Sequence, residues 1–191
     1  MTATQRRLDD RRWSARLAVD LDGTFAELVL AATDGLFSGL LRLTGSAPDA
    51  EDLVQETWVR AHRALHGMTV DQRAELRVSG WLWTIAVNRW RTWCGRRGGA
   101  DVALGDHDVV SRHADAASTT TLERIVLVDA LATLPPNLRE AVVLHHVVGL
   151  RYREVAEVVE RPEGTVKADV HRGLAALRSI LTPIEPAREQ P

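Results

Sequence analysis

The chain has 191 residues, of which 45% are apolar and 26% charged, and its formal net charge is −2. That length and apolar content can build a real core in one or two small domains, which excludes a disordered or fibrous chain. Its single cysteine, Cys94, excludes an internal disulfide and any multi-thiolate metal site, leaving the role of a small, buried or half-buried apolar residue.

In chain order, residues 1–21 are arginine-rich (Arg6, Arg7, Arg11, Arg12, Arg16) and mixed with Asp9 and Asp10, with no apolar leader core behind them. They read as an N-terminal tail. Phe25 to Leu43 has helical period but is interrupted by Gly35 and Gly39, and Thr44-Gly45-Ser46 marks a turn. From Pro48 to Leu65 the residues Ala50, Leu53, Val54, Trp58, Ala61 and Leu65 form one apolar stripe, with Asp49, Asp52, Gln55, Glu56 and Arg63 outside it. Gly67 to Arg77 reads as a loop. Ser79 can then cap a helix running to about Arg97.

Residues 98–121 break the pattern with glycines, Asp101, Asp106, Asp108 and Asp115, and read as a flexible acidic linker. Helical period resumes from Leu122, broken at Pro135-Pro136 and Gly149. Two final segments, Tyr152 to Val159 and Glu163 to about Leu181, are separated by Glu160-Arg161-Pro162. That last pair has the spacing of a helix-turn-helix, whose second helix enters the major groove. The fold class expected is all-α: two small helical domains, 22–97 and 122–182, joined by the linker, with residues 183–191 as a C-terminal tail. No apolar run approaches the roughly 20 residues of a membrane span, so the chain is expected to be cytoplasmic and without membrane insertion.

Two groups of residues suit nucleic acid. On the last helix, Glu163, Thr165, Lys167, Ala168, His171 and Arg172 lie outside the apolar stripe and offer groups for base edges and phosphates. On the earlier helix, Trp81, Trp83, Trp90 and Trp93 are interleaved with Asn88, Arg89, Arg91, Arg96 and Arg97, a composition suited to stacking on unpaired bases, although at least two of these tryptophans should be core. Asn88 follows Trp81 by seven residues, close to two helical turns. Arg73 and Arg77 precede that helix. A protein that grips DNA alone is normally basic, so the net charge needs an explanation.

The segments Asp49-Ala50-Glu51-Asp52-Leu53-Val54-Gln55-Glu56-Thr57, Trp81-Leu82-Trp83-Thr84-Ile85-Ala86-Val87-Asn88, Leu134-Pro135-Pro136-Asn137-Leu138-Arg139-Glu140 and Pro162-Glu163-Gly164-Thr165-Val166-Lys167 together resemble the bacterial extracytoplasmic-function sigma factors, in order and spacing, over about 25–182. The resemblance implies a minimal sigma factor with only the second and fourth conserved regions. It implies that Asp49, Glu51, Asp52, Gln55 and Glu56 dock on the clamp helices of the largest subunit of core RNA polymerase. It further implies that Arg73, Arg77, Trp81, Asn88, Arg89 and Arg91 melt and read the minus-ten element of promoter DNA. Thr165, Lys167, Ala168, His171 and Arg172 would read the minus-thirty-five element. Members of the family usually have an anti-sigma partner, and none of this requires a cofactor or an enzymatic activity. Because core polymerase supplies most of the DNA grip, the free subunit need not be basic.

Four residues depart from the family pattern. Arg151 stands at the usual Ser/Thr N-cap, a loss of about 1 kcal/mol; Glu160 replaces the turn glycine, a strain of about 1 kcal/mol; Asp169 replaces a frequent arginine; and Thr84 replaces an arginine or similar residue. The competing reading is a helix-turn-helix repressor or response regulator with a helical partner domain, against which the N-terminal half shows no phosphoacceptor, ligand-pocket or heptad pattern. An enzyme or metal site has little to rest on: His62 and His66 are at i, i+4 and His145-His146 are adjacent, but neither pair has a third ligand nearby in the sequence.

Overall fold

The computed structural model describes the backbone of residues 8–97 and 118–181, with side chains for 8–96 and 125–181. The helices are α1 (Asp10–Val19), α2 (Leu21–Thr44), α3 (Ala47–His66), α4 (Val70–Ala74), α5 (Val78–Arg97), α6 (Ser118–Ala132), α7 (Pro136–Val142), α8 (Tyr152–Val159) and α9 (Glu163–Leu181), and α7 widens into a π-helical turn over Val143–Val147. There is no strand among the described residues.

The segment expected as a tail contains α1. Asp9 caps it by accepting from Arg12 N–H, and Leu17 is fully buried while Arg11 and Arg12 are exposed. α1 also does a job that the sequence suggested for Ser79. Asp10 Oδ1 accepts the backbone N–H of Ser79 at 2.7 Å, so an orphan donor in the first turn of α5 is satisfied from 69 residues away. The loop expected at 67–77 holds the short α4, closed by a capping box between Thr69 and Gln72.

Gly35 and Gly39 do not interrupt α2, which runs unbroken for 24 residues. Gly39 is instead a contact point: a Cβ there would overlap the ring of Trp83. α2 is also the one described helix long and apolar enough, by length and composition, to cross a membrane. Its stripe of Leu28, Ala32, Leu36, Leu40 and Leu43 is buried against α3, α5 and α6, so that face of the helix belongs to the core. Its apolar residues are spread among Asp22, Glu27, Asp34 and Arg42, so its longest continuous apolar run is Leu28 to Ala32.

The expected linker lies outside the described residues except at 118–121, which already belong to α6, and the expected tail 183–191 also lies outside them. The two helical units share one continuous apolar cluster. α2 packs on α6 and on the π-turn, and α5 packs on α8. The Leu43 carbonyl, at the end of α2, marks the junction: it accepts from Trp90 Nε1 at 3.1 Å and from Arg139 Nη1 at 2.8 Å. Arg139 also donates to the carbonyls of Ala132 and Leu134, tying the end of α6 to α2. Burial lowers its pKa from the usual arginine value.

α8 and α9 form the helix-turn-helix. Arg151 has no side-chain oxygen to cap α8, but its N–H donates to Glu154 Oε2 at 2.8 Å, which preserves half of a capping box. Glu160 does sit in the left-handed region, at φ 55° and ψ 44°. Replacing it with glycine is expected to raise the unfolding free energy by about 1 kcal/mol, because the Cβ penalty disappears. A urea titration of the two chains checks this.

Candidate polymerase and promoter-DNA surfaces

On α3, Glu51, Asp52, Gln55 and Glu56 are exposed, because the buried stripe of Ala50, Leu53, Val54, Thr57 and Trp58 turns the other way. Asp49 is half-buried and accepts from Trp93 Nε1 at 3.1 Å, so part of its carboxylate is spent in holding α3 to α5. Glu56 is paired with Arg89 at 2.5 Å. Asp52, Gln55 and Glu56 then line a shallow groove with Val59, Arg60, Arg63, Arg89 and Arg96. Two acids and four arginines share this groove, so it offers both signs of charge to a partner.

The residues expected to meet melted DNA are dispersed. Trp83 and Trp90 are core, as expected for at least two of the tryptophans of α5. Trp81 is half-buried in a crevice shared by α4, α5 and α8, beside Glu154, Glu157 and Val158. Asn88 is exposed, and its amide has no partner among the described residues. Arg73 turns inward instead: its Nη1 donates to the carbonyls of Leu65 at 3.3 Å and Met68 at 3.0 Å, closing the end of α3. A C-terminal helix end attracts a cation, and Arg73 bonds carbonyls there directly.

Arg77 and Arg91 point at the other half of the chain. Arg77 donates to Glu157 at 3.0 Å and to Glu154 at 3.3 Å, both on α8. Arg91 makes a two-pronged bond to Glu140, Nε to Oε2 and Nη2 to Oε1 at 3.0 Å each, and reaches the Val159 carbonyl. Glu140 is 5% exposed and accepts a third bond at 2.8 Å from Arg161, in the turn of the helix-turn-helix. Arg161 continues to Asp169, which Arg172 also holds. A ladder of alternating charge thus runs from α5 through α7 to α9.

That ladder corrects the expectation for Asp169. Its side chain is 1% exposed and faces inward between two arginines, so it does not confront phosphate. On α9, Thr165, Lys167, Ala168, His171 and Arg172 are all exposed on one side, opposite the buried Val166, Val170 and Gly173. Lys167 pairs with Glu163 at 2.7 Å and lies 5.6 Å from the Tyr152 ring centre. Arg172 keeps 65% of its side chain in water despite its bond to Asp169. Thr84 bonds the Gly80 carbonyl one turn back on α5. Cys94 is half-buried, and burial pushes its thiol pKa up, which disfavours the reactive thiolate.

Family models agree with this division of the chain. The model described as sigma-70 region 2 matches residues 28–99, and the model described as sigma-70 region 4 matches residues 124–177. This chain belongs to the extracytoplasmic-function sigma factors. The sigma factor is 28% identical to the ECF RNA polymerase sigma-E factor of Haemophilus influenzae over 82% of this chain and 87% of the relative. It is 33% identical to the ECF RNA polymerase sigma factor SigE of Mycolicibacterium smegmatis over 81% of this chain, which spans 60% of that relative. Two solved structures superpose at a TM-score of 0.65 with 26% identity: CnrH in complex with the cytosolic domain of CnrY, covering 90% of this chain and 96% of that one, and the sigma factor RpoE in complex with the anti-sigma factor NepR from Bartonella quintana, covering 82% and 96%. As a sigma factor the chain serves transcription initiation, with core RNA polymerase and promoter DNA as its partners.

The motif Leu134 to Glu140 carried the resemblance, but its two charged residues had no role assigned from the sequence. Arg139 and Glu140 hold the halves together. Glu154, Glu157 and Arg161 were also missed, since helical period marks a residue as off the stripe without naming its partner.

Proposed function

We propose that this sigma factor docks on the clamp helices of the largest polymerase subunit through the exposed side of α3, reads the minus-thirty-five element with the outward side of α9, and melts and reads the minus-ten element with α5 and the segment before it. The observation that carries this reading is that the α3 acids and the α9 outward residues lie on open faces, while Arg77 and Arg91 are bonded to acids of the C-terminal half. The described arrangement is therefore a closed one. An exposed DNA-reading α5 requires it to open. The near-neutral net charge fits a subunit whose own arginines are neutralised by its own acids until polymerase supplies the DNA grip. Residues 22–97 and 122–182 act as the two domains, in the cytoplasm where the polymerase works. An anti-sigma factor is a further partner of this reading, since both superposed chains are complexed with a second protein, which for RpoE is an anti-sigma factor.

The α3 face can be tested without disturbing the fold. Glu56 already serves Arg89, so its reversal would also break an internal pair, whereas Asp52 and Gln55 are exposed and off the stripe. Asp52→Lys with Gln55→Lys is expected to weaken binding to core polymerase at least tenfold, roughly 1.4 kcal/mol, with an unchanged urea midpoint. Equal affinity in a fluorescence titration would reject the α3 assignment. Transcripts started by core polymerase with the chain added, mapped at their 5′ ends, test the promoter assignment.

A further inference from the structure

The α2–α3 hairpin is closed at one end by the turn at Gly45-Ser46 and is open at the other, where the start of α2 meets the end of α3. Three exposed side chains converge at that open end: Asp22 from α2, and His62 and His66 from α3. Their ligand atoms all lie within 4.8 Å of one another. His62 Nε2 and His66 Nε2 are 3.0 Å apart, and His66 Nε2 is 3.4 Å from Asp22 Oδ1.

Those separations fit a single ion. Ligand atoms placed about 2.0–2.1 Å from a tetrahedral zinc are separated from each other by about 3.3–3.4 Å, so the two measured gaps lie close to the edges of such a tetrahedron. Histidines at i, i+4 on one helix face are a recurrent way to present two imidazole nitrogens to one ion. A carboxylate completes a nitrogen and oxygen donor set suited to zinc and its neighbours rather than to calcium or magnesium. The pair is also buttressed, since the His62 ring meets Phe25 edge-on at 5.1 Å and Phe25 in turn packs on Trp58. Asp22, 82% exposed, can close the remaining distance by side-chain rotation.

We infer that Asp22, His62 and His66 form a binding site for a divalent transition-metal ion of the zinc type, with the fourth position open to water. The bound ion staples the free end of the α2–α3 hairpin. Nothing in the polymerase or promoter reading requires this site, and it stands or falls apart from that reading. Asp22 is 40 or more positions from the two histidines in the sequence, so only the packing of α2 on α3 brings the three together.

The test is calorimetric titration of the full chain with zinc chloride at neutral pH. One equivalent is expected to bind. His62→Ala and His66→Ala should each weaken the affinity at least thirtyfold, and Asp22→Asn about tenfold. The control is the other histidine pair, His145-His146, where His145 Nδ1 is hydrogen-bonded to the Leu150 carbonyl at 2.8 Å. His145→Ala with His146→Ala should leave the zinc affinity unchanged. Cobalt in place of zinc should give the visible bands of a four-coordinate ion in the unsubstituted chain and lose them in His62→Ala. The three ligands are exposed, so the variants should keep their far-ultraviolet circular dichroism. Zinc should raise the melting temperature of the unsubstituted chain and not that of His66→Ala. Absence of binding by the unsubstituted chain, or binding that survives His62→Ala with His66→Ala, overturns the inference.

Discussion

Glu140→Ala is expected to cost about 3–5 kcal/mol of unfolding free energy, the range for removing one partner of a buried ion pair. The lower part of that range is favoured, because Arg91 and Arg161 keep 37% and 23% of their side chains in water and can partly rehydrate. Glu140 accepts three charged bonds, two from Arg91 and one from Arg161, so its loss unties α5 from α7 and α7 from the turn before α9 in one step. Urea unfolding followed by tryptophan fluorescence measures the change. The comparison variant is Glu157→Ala. Its pair with Arg77 is about half exposed on both sides, and its loss is expected to cost 1 kcal/mol or less, about the worth of a surface pair. If the two variants lose equal stability, the halves of the chain do not hold this arrangement in solution.

Trp90→Ala should be about as damaging, by another route. The indole is 1% exposed, and truncating a buried aromatic side chain to alanine costs about 3–5 kcal/mol in lost transfer energy and cavity formation. Its Nε1 also donates to the Leu43 carbonyl. That oxygen keeps Arg139 as a second donor, so the missing hydrogen bond leaves no orphaned acceptor and adds about 1 kcal/mol or less. Trp90→Phe separates the contributions: it retains most of the buried ring and should cost roughly 1–2 kcal/mol. Thermal or urea melts of both variants check the ordering. A phenylalanine variant as unstable as the alanine variant would place the hydrogen bond, and not the ring volume, at the centre of this junction.

Both sites lie where the two halves meet, and they bear on function through the same residues. While Arg91 spends Nε and Nη2 on Glu140 and the Val159 carbonyl, only Nη1 is left to meet a phosphate, and the charge is already matched by a carboxylate. The neutrality that the net charge suggests at the level of composition is therefore also local. Arg77, Arg89, Arg91, Arg161 and Arg172 are each matched to a named acid.

By itself the sequence determined most of the longer helices and their faces. The apolar stripe of α3, the turn after Thr44, the helix-turn-helix and the exposure of Thr165, Lys167, Ala168, His171 and Arg172 all follow from a period of 3.6 residues and from local capping, which act over a few positions of the chain. Its quoted motifs were enough to point to the family. The sequence did not reveal α1, whose arginine-rich composition hides a short buried stripe of Ser14 and Leu17. Only the tertiary structure decided the partners. Arg91 meets Glu140 across 49 positions, Arg77 meets Glu157 across 80, Asp10 caps α5 across 69, and Asp22 joins a histidine pair that looked two-membered in the sequence. It also turned Asp169 inward and spent Arg73 on the end of α3. The physical reason is that helical period fixes the direction in which a side chain leaves its own helix, whereas the group it meets depends on how whole helices dock. That docking is set by the summed burial of apolar faces rather than by the charged residues that then pair across it.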